Sequence, residues 1–262
     1  MTDSCTVVVP CFNEATRLDP AQLDALIVAA DVRILAVDDG STDDTVTLLD
    51  KLAGADPGRI AVLALGANQG KGEAVRRGLV EAISSGADLV AYCDADFATP
   101  PDEVARLVAT LRSEPDVDVV LGSRVAMLGS DIRRSVFRHY TGRLFATAGS
   151  LVLRAPVYDT QCGAKAFRVT GPLRQALAAP FVSRWAFDVE LLGRLLQYRD
   201  AGNHPETGRF IELPLRRWRE PGGSKLTVTS RLRAAFDLVR IGRELRRSDG
   251  SAERLDEERN GS

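Results

Sequence analysis

The chain has 262 residues, of which 45% are hydrophobic and 27% are charged, a balance typical of a soluble globular protein. Its 34 basic and 36 acidic residues give a net charge of −2, so overall charge favours neither nucleic acid nor a membrane as a partner. No apolar run reaches the roughly 18–20 residues that a membrane span requires, and the N-terminal residues show no basic region followed by an apolar one, the pattern expected of a signal peptide. We therefore expect a cytoplasmic protein whose four cysteines are buried free thiols.

Apolar runs alternate with helical patterns through the first half of the chain. Five short runs predict strands, at residues 6–10, 32–37, 60–65, 89–93 and 117–123. The segments between them carry apolar residues at helical spacing, such as Leu23, Leu26, Ile27 and Ala30 at i, i+3, i+4 and i+7. Strands that alternate with helices in this way predict an α/β fold with a doubly wound, mostly parallel sheet, similar to the Rossmann arrangement.

The second half is less regular. We expect helices over 133–153, 186–199 and 229–247, a loop and strand over 159–168, and a strand over 210–215. Residues 248–262 are polar, and we expect them to be disordered. Because no repeat or long linker divides the chain, we predict a single domain over 1–247, in which 126–247 elaborates on 1–125.

Two carboxylates, Asp94 and Asp96, follow the fourth predicted strand directly. Side chains two residues apart in extended backbone point the same way, so both could face one cation at the strand end, where open α/β sheets bind ligands. Carboxylate oxygens favour Mg²⁺ or Mn²⁺, and such an ion takes further ligands from substrate phosphates. The alternative is a solvated turn in which the two aspartates only cap the next helix.

Paired acids also follow the second predicted strand, in the sequence DDGSTDDT (38–45). Asp38 and Asp39 could bind a ribose hydroxyl or a base N–H in the same crevice. Gly40 permits a tight turn, and Ser41 or Thr42 can cap the helix that follows. Helix capping is therefore the alternative role for this acidic run.

The loops after the first and third predicted strands suit a nucleotide and a diphosphate. Pro10 ends the first strand, and beyond it Phe12 could stack on a base or belong to the core, while Glu14 could accept a hydrogen bond from the base. In NQGKG (68–72), glycines and Lys71 precede a helix start, which suits a diphosphate or leaves Lys71 as a solvated charge. The spacing is not that of a P-loop NTPase.

Basic residues cluster after the fifth predicted strand and again near the C-terminus. The first cluster includes a single acid and could bind an anion, because arginine binds phosphate through two parallel hydrogen bonds. The alternative is a solvated helix face. The acid is Asp131, and the basic residues are Arg124, Arg133, Arg134, Arg138, His139 and Arg143. The predicted C-terminal helix has six arginines, two acids and an apolar stripe, so it could lie on an anionic membrane surface or pack on the core.

Three further carboxylates lie among apolar and aromatic residues. They are Asp159, Asp188 and Glu190. Asp188 and Glu190 are two residues apart in a predicted helix, so they do not share one face. Lys225 follows two glycines, where a mobile loop could bring it onto a diphosphate.

Taken together and in order, seven segments resemble family 2 glycosyltransferases of the GT-A fold. They are VVVPCFNEATRL, VDDGSTDDT, NQGKGEAVRRG, DADFATPPDE, DTQCGAKAF, RWAFDVELL and WREPGGSKL, and they run from residue 7 to 226. DADFAT and the last three segments are more similar to the dolichyl- or polyprenyl-phosphate β-glucosyltransferases than to the mannosyl-transferring branch.

The resemblance implies an inverting, metal-dependent hexosyltransferase that moves glucose from UDP-glucose to a polyprenyl or dolichyl phosphate. It implies a nucleotide-sugar half (1–125) and an acceptor half (126–247). The nucleotide would be held by Pro10, Phe12, Glu14 and Asp39, the metal and diphosphate by Asp94 and Asp96, and the diphosphate also by Lys225. Candidates for the acceptor phosphate are Arg124, Arg133, Arg134 and Arg138. Peripheral contact with a membrane is expected through the basic C-terminal helix, and the charge balance predicts no contact with nucleic acid.

The acceptor and the donor both stay open at this point. A lipid phosphate has a second pKa of about 6 and is largely ionised at neutral pH, so it needs no strong base. A hydroxyl acceptor requires one, and Asp159 and Asp188 are the candidates. Another nucleotide sugar, carrying mannose or GalNAc, is an alternative donor. A nucleotidyltransferase and a non-catalytic nucleotide-sugar binding module are the remaining alternatives.

Overall fold

The computed structural model describes residues 3–133, 136–197, 209–219 and 236–247, with the side chains of 133–144 outside that description. Nine strands lie in this part of the chain. They are β1 (Cys5–Cys11), β2 (Arg33–Asp38), β3 (Ile60–Ala64), β4 (Leu89–Cys93), β5 (Val119–Ser123), β6 (Asp131–Arg133), β7 (Ala164–Arg168), β8 (Phe210–Pro214) and β9 (Arg217–Arg219).

Helices connect and cover these strands. They are α1 (Pro20–Ala30), α2 (Thr45–Ala55), α3 (Lys71–Ser84), α4 (Pro101–Ser113), α5 (Val136–Leu153), α6 (Gly171–Ala176) and α7 (Phe187–Gln197), and residues 236–247 are also helical and are called α8. None of the helices in the described part of the chain has the length and apolar character needed to cross a bilayer.

Seven strands form one sheet in the order β3-β2-β1-β4-β7-β5-β8. All neighbouring pairs are parallel except those of β7, which runs antiparallel to β4 and β5. The sheet is therefore mostly parallel, as predicted. Because β7 is reversed, the loop that precedes it reaches the same edge of the sheet as the loops that follow β1 to β5. We call this the carboxyl edge.

Apolar side chains cover both faces of the sheet. Alternate residues of a strand point to opposite faces, so Val7 and Val9 pack with α1 and α4, whereas Val8 packs with α3 and α7. Burial on both faces explains why the strands are continuous apolar runs. The doubly wound arrangement is confirmed, and all four cysteines are buried free thiols, as predicted.

One predicted boundary is wrong. The helix expected over 133–153 begins at Val136, and Asp131–Arg133 instead forms the strand β6, which pairs in parallel with β9. Asp131 N donates to the carbonyl oxygen of Arg216 at 2.7 Å. This pairing joins segments more than 80 residues apart, so no local pattern in the sequence could indicate it.

Candidate active site

The loops after β1 and β2 hold each other in place at the carboxyl edge. Asn13, at φ +54°, donates its N–H to Ser41 Oγ at 3.0 Å and accepts from the N–H of Thr42 at 2.8 Å. Glu14 N donates to Thr45 Oγ1 at 2.8 Å. The prediction that Ser41 or Thr42 caps α2 is therefore wrong, because both face the first loop and the N-cap position is Asp44.

Asp38 and Asp39 are buried and shape the loops around them. Asp38 accepts from the N–H of Gly40 at 3.1 Å and of Ser41 at 3.2 Å. Asp39 reaches across to the third loop, where it accepts from Gln69 N at 2.7 Å and Gly70 N at 2.8 Å. Contact of these two carboxylates with a nucleotide stays a prediction.

Arg184, just before α7, holds the loop after β3 from the other side. Its guanidinium donates to the carbonyl oxygens of Asn68 and Gln69, each at 2.9 Å. Gly70 lies at φ +97°, and a Cβ there would approach Arg184 Nε to 2.6 Å. The loop is therefore fixed between Asp39 and Arg184, and it delivers Lys71 to the first position of α3. Sequence reasoning missed Arg184, although the RWAFDVELL segment contains it.

Asp94 and Asp96 lie in a turn at the end of β4. Phe97 N donates to the Asp94 carbonyl oxygen at 3.0 Å, and Phe97 has φ +46°. The expectation of extended backbone here is therefore wrong, although the two carboxylates remain close enough to interact. Asp94 N donates to the carbonyl oxygen of Gly163 at 3.1 Å. A Cβ at position 163 would collide with the Asp94 carboxylate, so only glycine permits this approach.

Lys71 completes a charged cluster with the two aspartates. Its Nζ lies 2.5 Å from Asp94 Oδ1. Burial by itself would lower the pKa of Lys71, but Asp94, Asp188 and Asp96 outweigh it and raise the pKa above its ordinary value. Burial and the neighbouring Asp94 charge raise the pKa of Asp96. A lysine and two carboxylates that repel each other therefore lie together at the end of β4.

This cluster fits a divalent cation that is shared with a substrate. Within the described residues, no group of three or more His, Cys, Asp and Glu side chains is placed to hold a metal ion. Asp94 and Asp96 instead offer hard oxygen donors on a half-buried turn, and their mutual repulsion would be relieved by a cation. Mg²⁺ characteristically takes one or two carboxylates and completes its shell with water and phosphate oxygens.

Arg124 and Asp159 form a bidentate ion pair beyond β5. Arg124 Nε donates to Asp159 Oδ2 at 2.7 Å and a terminal nitrogen donates to Oδ1 at 2.8 Å. The guanidinium lies over the ring of Trp218, 5.4 Å from its centroid. Asp159 also accepts from the N–H of Arg124 at 3.0 Å and of Gln161 at 3.2 Å. This carboxylate is thus engaged in positioning Arg124, which argues against its use as a base.

Asp188 and Glu190 point to different partners, as predicted from their spacing. Asp188 is buried and accepts from Tyr92 Oη and from Lys165 Nζ, the latter at 2.6 Å. Glu190 accepts from Val182 N at 2.8 Å and from Arg194 at 2.7 Å. Sequence reasoning missed Lys165, because a lysine in an apolar strand pattern is normally exposed.

The remaining predicted site residues divide into two groups. Pro10 is half-buried near the end of β1, Phe12 is 38% exposed beside it, and Glu14 pairs with Arg17. Four residues cannot be placed in the site: Arg134 and Lys225 lie outside the described residues, as do the side chains of Arg133 and Arg138. Their predicted roles stay predictions.

Known proteins similar to this chain share its sequence over most of its length. Residues 6–170 match the family model described as Glycosyl transferase family 2. A dolichyl-phosphate beta-glucosyltransferase of Trichomonas vaginalis is 32% identical over 250 residues, covering 90% of this chain and 70% of the relative. The one from Drosophila melanogaster is 34% identical, with 92% and 72% covered. A polyprenol monophosphomannose synthase of Mycolicibacterium smegmatis is 27% identical, with 92% and 88% covered.

Solved structures share the fold at lower identity. Glucosyl-3-phosphoglycerate synthase from M. tuberculosis superposes with a TM-score of 0.63 at 19% identity, covering 91% of this chain and 79% of the other. A mannosyltransferase from Pyrobaculum calidifontis in complex with GDP-Man and Mn²⁺ has a TM-score of 0.58 at 21% identity, with 92% and 63% covered. With its sheet order, its carboxyl-edge cluster and these relatives, the chain belongs to glycosyltransferase family 2 and is a glycosyltransferase of the GT-A fold.

Proposed function

We propose that this glycosyltransferase transfers a hexose to a polyprenyl or dolichyl phosphate, with inversion at the anomeric carbon. The proposed donor is UDP-glucose, and the hexose is glucose. The observation that carries the donor half is the cluster of Lys71, Asp94 and Asp96 at the carboxyl edge, since a cation site beside a lysine suits a leaving diphosphate. Support for the acceptor comes from the relatives named dolichyl-phosphate beta-glucosyltransferase and polyprenol monophosphomannose synthase.

Asp94 and Asp96 would hold Mg²⁺ or Mn²⁺. When bound, the ion would supply electrostatic stabilisation of the leaving diphosphate. Lys71 lies close enough to this pair to contact the same diphosphate, and its raised pKa keeps it protonated at neutral pH. It occupies the first turn of α3, and backbone N–H groups at a helix N-terminus also favour anions.

The nucleotide would lie over the loops after β1 and β2. Phe12 is exposed there for stacking, and Pro10 and Glu14 flank it. Asp38 would contribute by fixing the loop after β2, and Asp39 by fixing the loop after β3, each through backbone N–H groups that donate to its carboxylate. A carboxylate has further lone pairs for a ribose or a base. Lys225 is proposed to contact the diphosphate, and this role rests only on the resemblance of the segment WREPGGSKL to the family.

A phosphate acceptor is favoured over a hydroxyl acceptor by the state of the two candidate bases. Asp159 is engaged by Arg124, and Asp188 by Tyr92 and Lys165. An ionised phosphate has no proton to lose and needs only to be positioned. Asp159 accepts hydrogen bonds from Nε and one terminal nitrogen of Arg124. The guanidinium has a second terminal nitrogen that would donate to an acceptor phosphate. The other candidates for this contact are Arg133, Arg134 and Arg138.

The transfer itself is tested by mixing the purified protein with Mg²⁺ or Mn²⁺, UDP-[¹⁴C]glucose and polyprenyl phosphate, and extracting the organic phase. Label is expected there with polyprenyl phosphate and not with the matched polyprenol, which lacks the phosphate. A panel of GDP-mannose, UDP-galactose and UDP-GalNAc ranks the donors. Absence of organic label with every donor, together with label on a water-soluble hydroxyl acceptor, would refute the lipid-phosphate acceptor.

Helix α8 offers a surface for peripheral contact with the membrane that would hold such an acceptor. Leu238, Ile241 and Leu245 are buried, and a helix turns about 100° per residue, so the opposite face is the outer one. This outer face carries Phe236, Val239, Arg240, Arg243 and Arg247. Apolar side chains between arginines are typical of helices that lie on anionic bilayers.

The outer face of α8 continues toward the site. Ser183 Oγ lies 2.6 Å from Asp237 Oδ2, which brings the start of α8 beside the segment that contains Trp185. Trp185 is 61% exposed and Phe236 is 71% exposed. Arg184, between Ser183 and Trp185, contacts the loop that leads to Lys71. A bilayer on this surface would therefore lie next to the carboxyl edge.

Charge reversal on α8 should release the protein from anionic vesicles. We expect Arg240→Glu together with Arg243→Glu to reduce binding to phosphatidylglycerol-containing vesicles by at least about tenfold, since each basic residue near such a surface contributes about 1 kcal/mol. Flotation of vesicles at low and at physiological salt measures this. The same charge change elsewhere, Arg33→Glu with Arg174→Glu, is the control. Equal loss in both double variants would show that net charge, and not this surface, drives binding.

A further inference from the structure

A fully buried lysine lies beneath the proposed metal-binding turn. Lys165, on β7, has a side chain with no exposed surface. Its Nζ lies 2.6 Å from Asp188 Oδ1 on α7 and 5.4 Å from the centre of the Tyr92 ring. Tyr92, opposite Lys165 in the β4–β7 register, donates its hydroxyl to the same carboxylate oxygen. Tyr92, Lys165 and Asp188, which we call the buried network, thus join β4, β7 and α7.

The buried network leads directly to Asp94. Lys165 Nζ also donates to the carbonyl oxygen of Cys162 at 2.7 Å. The next residue, Gly163, accepts the backbone hydrogen bond of Asp94 at 3.1 Å and packs against its carboxylate. Tyr92 lies two residues before Asp94 on the adjoining strand. The buried network therefore holds both pieces of backbone that determine where the Asp94 carboxylate lies.

The start of α7 also supports the other side of the cluster. Arg184 accepts from Gly72 N through its carbonyl oxygen at 3.2 Å. The side chain of Phe187 packs so closely on Gly72 that a Cβ there would lie 2.8 Å from Phe187 Cβ. One short segment, 184–188, therefore contacts the residue after Lys71 through Phe187. Through Asp188 it binds the side chains of Tyr92 and Lys165.

Stability alone does not account for a charged pair in this place. A buried ion pair is often no more stabilising than apolar residues of the same volume, and the surrounding cluster of Val8, Val90 and Phe167 is apolar. What an ion pair with two further hydrogen bonds supplies is a defined geometry. Partners that orient metal ligands typically change metal affinity by about 10–100-fold when removed.

We propose that Lys165 and Asp188 are positioning residues, which with Tyr92 hold Asp94 in the orientation that binds the divalent cation. This inference rests on the proposed function, because it requires Asp94 to be a metal ligand. It gives the DTQCGAKAF and RWAFDVELL segments a common physical role, since the lysine of one and the aspartate of the other meet under the turn.

The test replaces the entire buried network by apolar groups, with Tyr92→Phe, Lys165→Met and Asp188→Leu in one variant, so that no buried charge is left unpaired. Mn²⁺ binding in the presence of UDP is measured by electron paramagnetic resonance of the free ion. We expect the variant to bind Mn²⁺ at least about tenfold more weakly than the wild type. The single variant Tyr92→Phe, which removes one hydroxyl, is expected to weaken binding by about two- to tenfold.

Leu26→Ala is the control for loss of stability. Leu26 is fully buried in α1, on the face of the sheet away from the buried network, so its truncation should lower the melting temperature and leave Mn²⁺ affinity within twofold of wild type. Wild-type affinity in both network variants would overturn the positioning role alone. A wild-type protein that binds no Mn²⁺ with UDP would overturn the metal site of the proposed function, and this inference with it.

Discussion

Asp96→Asn is expected to reduce transferase turnover by about 10²–10³-fold while leaving the protein at least as stable as wild type. The loss follows because a ligand for the cation, and with it stabilisation of the leaving diphosphate, is removed. The free energy of unfolding, in contrast, should stay the same or increase. Burial and the Asp94 charge raise the pKa of Asp96, so the folded state binds this proton more strongly than the unfolded state does. At pH 7 the ionised carboxylate therefore opposes folding, and the amide abolishes this cost.

Turnover of labelled donor and a thermal unfolding curve at pH 7 together check this result. Asp102→Asn serves as the matched control, because Asp102 is a half-exposed carboxylate a few residues away that pairs with Arg217 at the surface. It should retain nearly full activity. Were Asp96→Asn to keep wild-type turnover, the two aspartates of the turn would be structural. A large drop in its melting temperature would contradict the electrostatic account of Asp96.

Lys71→Met is expected to lower kcat/KM for the nucleotide sugar by about 10²-fold, since a preorganised charge at the leaving group is worth a few kcal/mol. Lys71 lies 2.5 Å from Asp94 Oδ1 and begins α3, so its loss removes positive charge where the diphosphate would accumulate negative charge. Steady-state kinetics with varied donor at saturating Mn²⁺ measures the effect. Lys51→Met, at an exposed position of α2, is the matched control.

The pH profile provides a second check on Lys71. Its pKa lies above the ordinary value of 10.5, so raising the pH from 7 to 9 should not remove its charge. Any alkaline loss of activity in that range must come from another group and should persist in Lys71→Arg. An unchanged kcat/KM in Lys71→Met would show that Lys71 does not act on the diphosphate. Its ion pair with Asp94 would then have only a structural role in the substrate-free protein.

The elements of the first half were predictable because their patterns are local. Strands buried on both faces are apolar along their whole length, and the five predicted ones agree with β1 to β5 to within two residues at each end. Helix α1 was predicted from the apolar spacing of Leu23, Leu26, Ile27 and Ala30, and it covers Pro20–Ala30. Its start is stabilised by the side chain of Asp19, which accepts from Ala21 N.

The arrangement of these elements was predictable only in part. Alternating strands and helices indicate a parallel sheet, but the reversal of β7 between β4 and β5 depends on contacts with strands distant in sequence. The pairing of β6 with β9 depends on such contacts as well. Nothing local to Arg133 distinguishes the end of a short strand from a first helical turn, so the predicted helix start at residue 133 was wrong.

The sequence by itself determined which residue types line the carboxyl edge, because they follow strand ends at positions that the apolar patterns mark. Asp94, Asp96 and Lys71 were recognised in this way. Only the tertiary structure decided what each one contacts. Lys71 faces Asp94, Asp159 is occupied by Arg124, and Asp188 is occupied by Lys165. The physical reason is that a hydrogen bond or ion pair depends on distance in space, and each of these partners is 23 or more residues away along the chain.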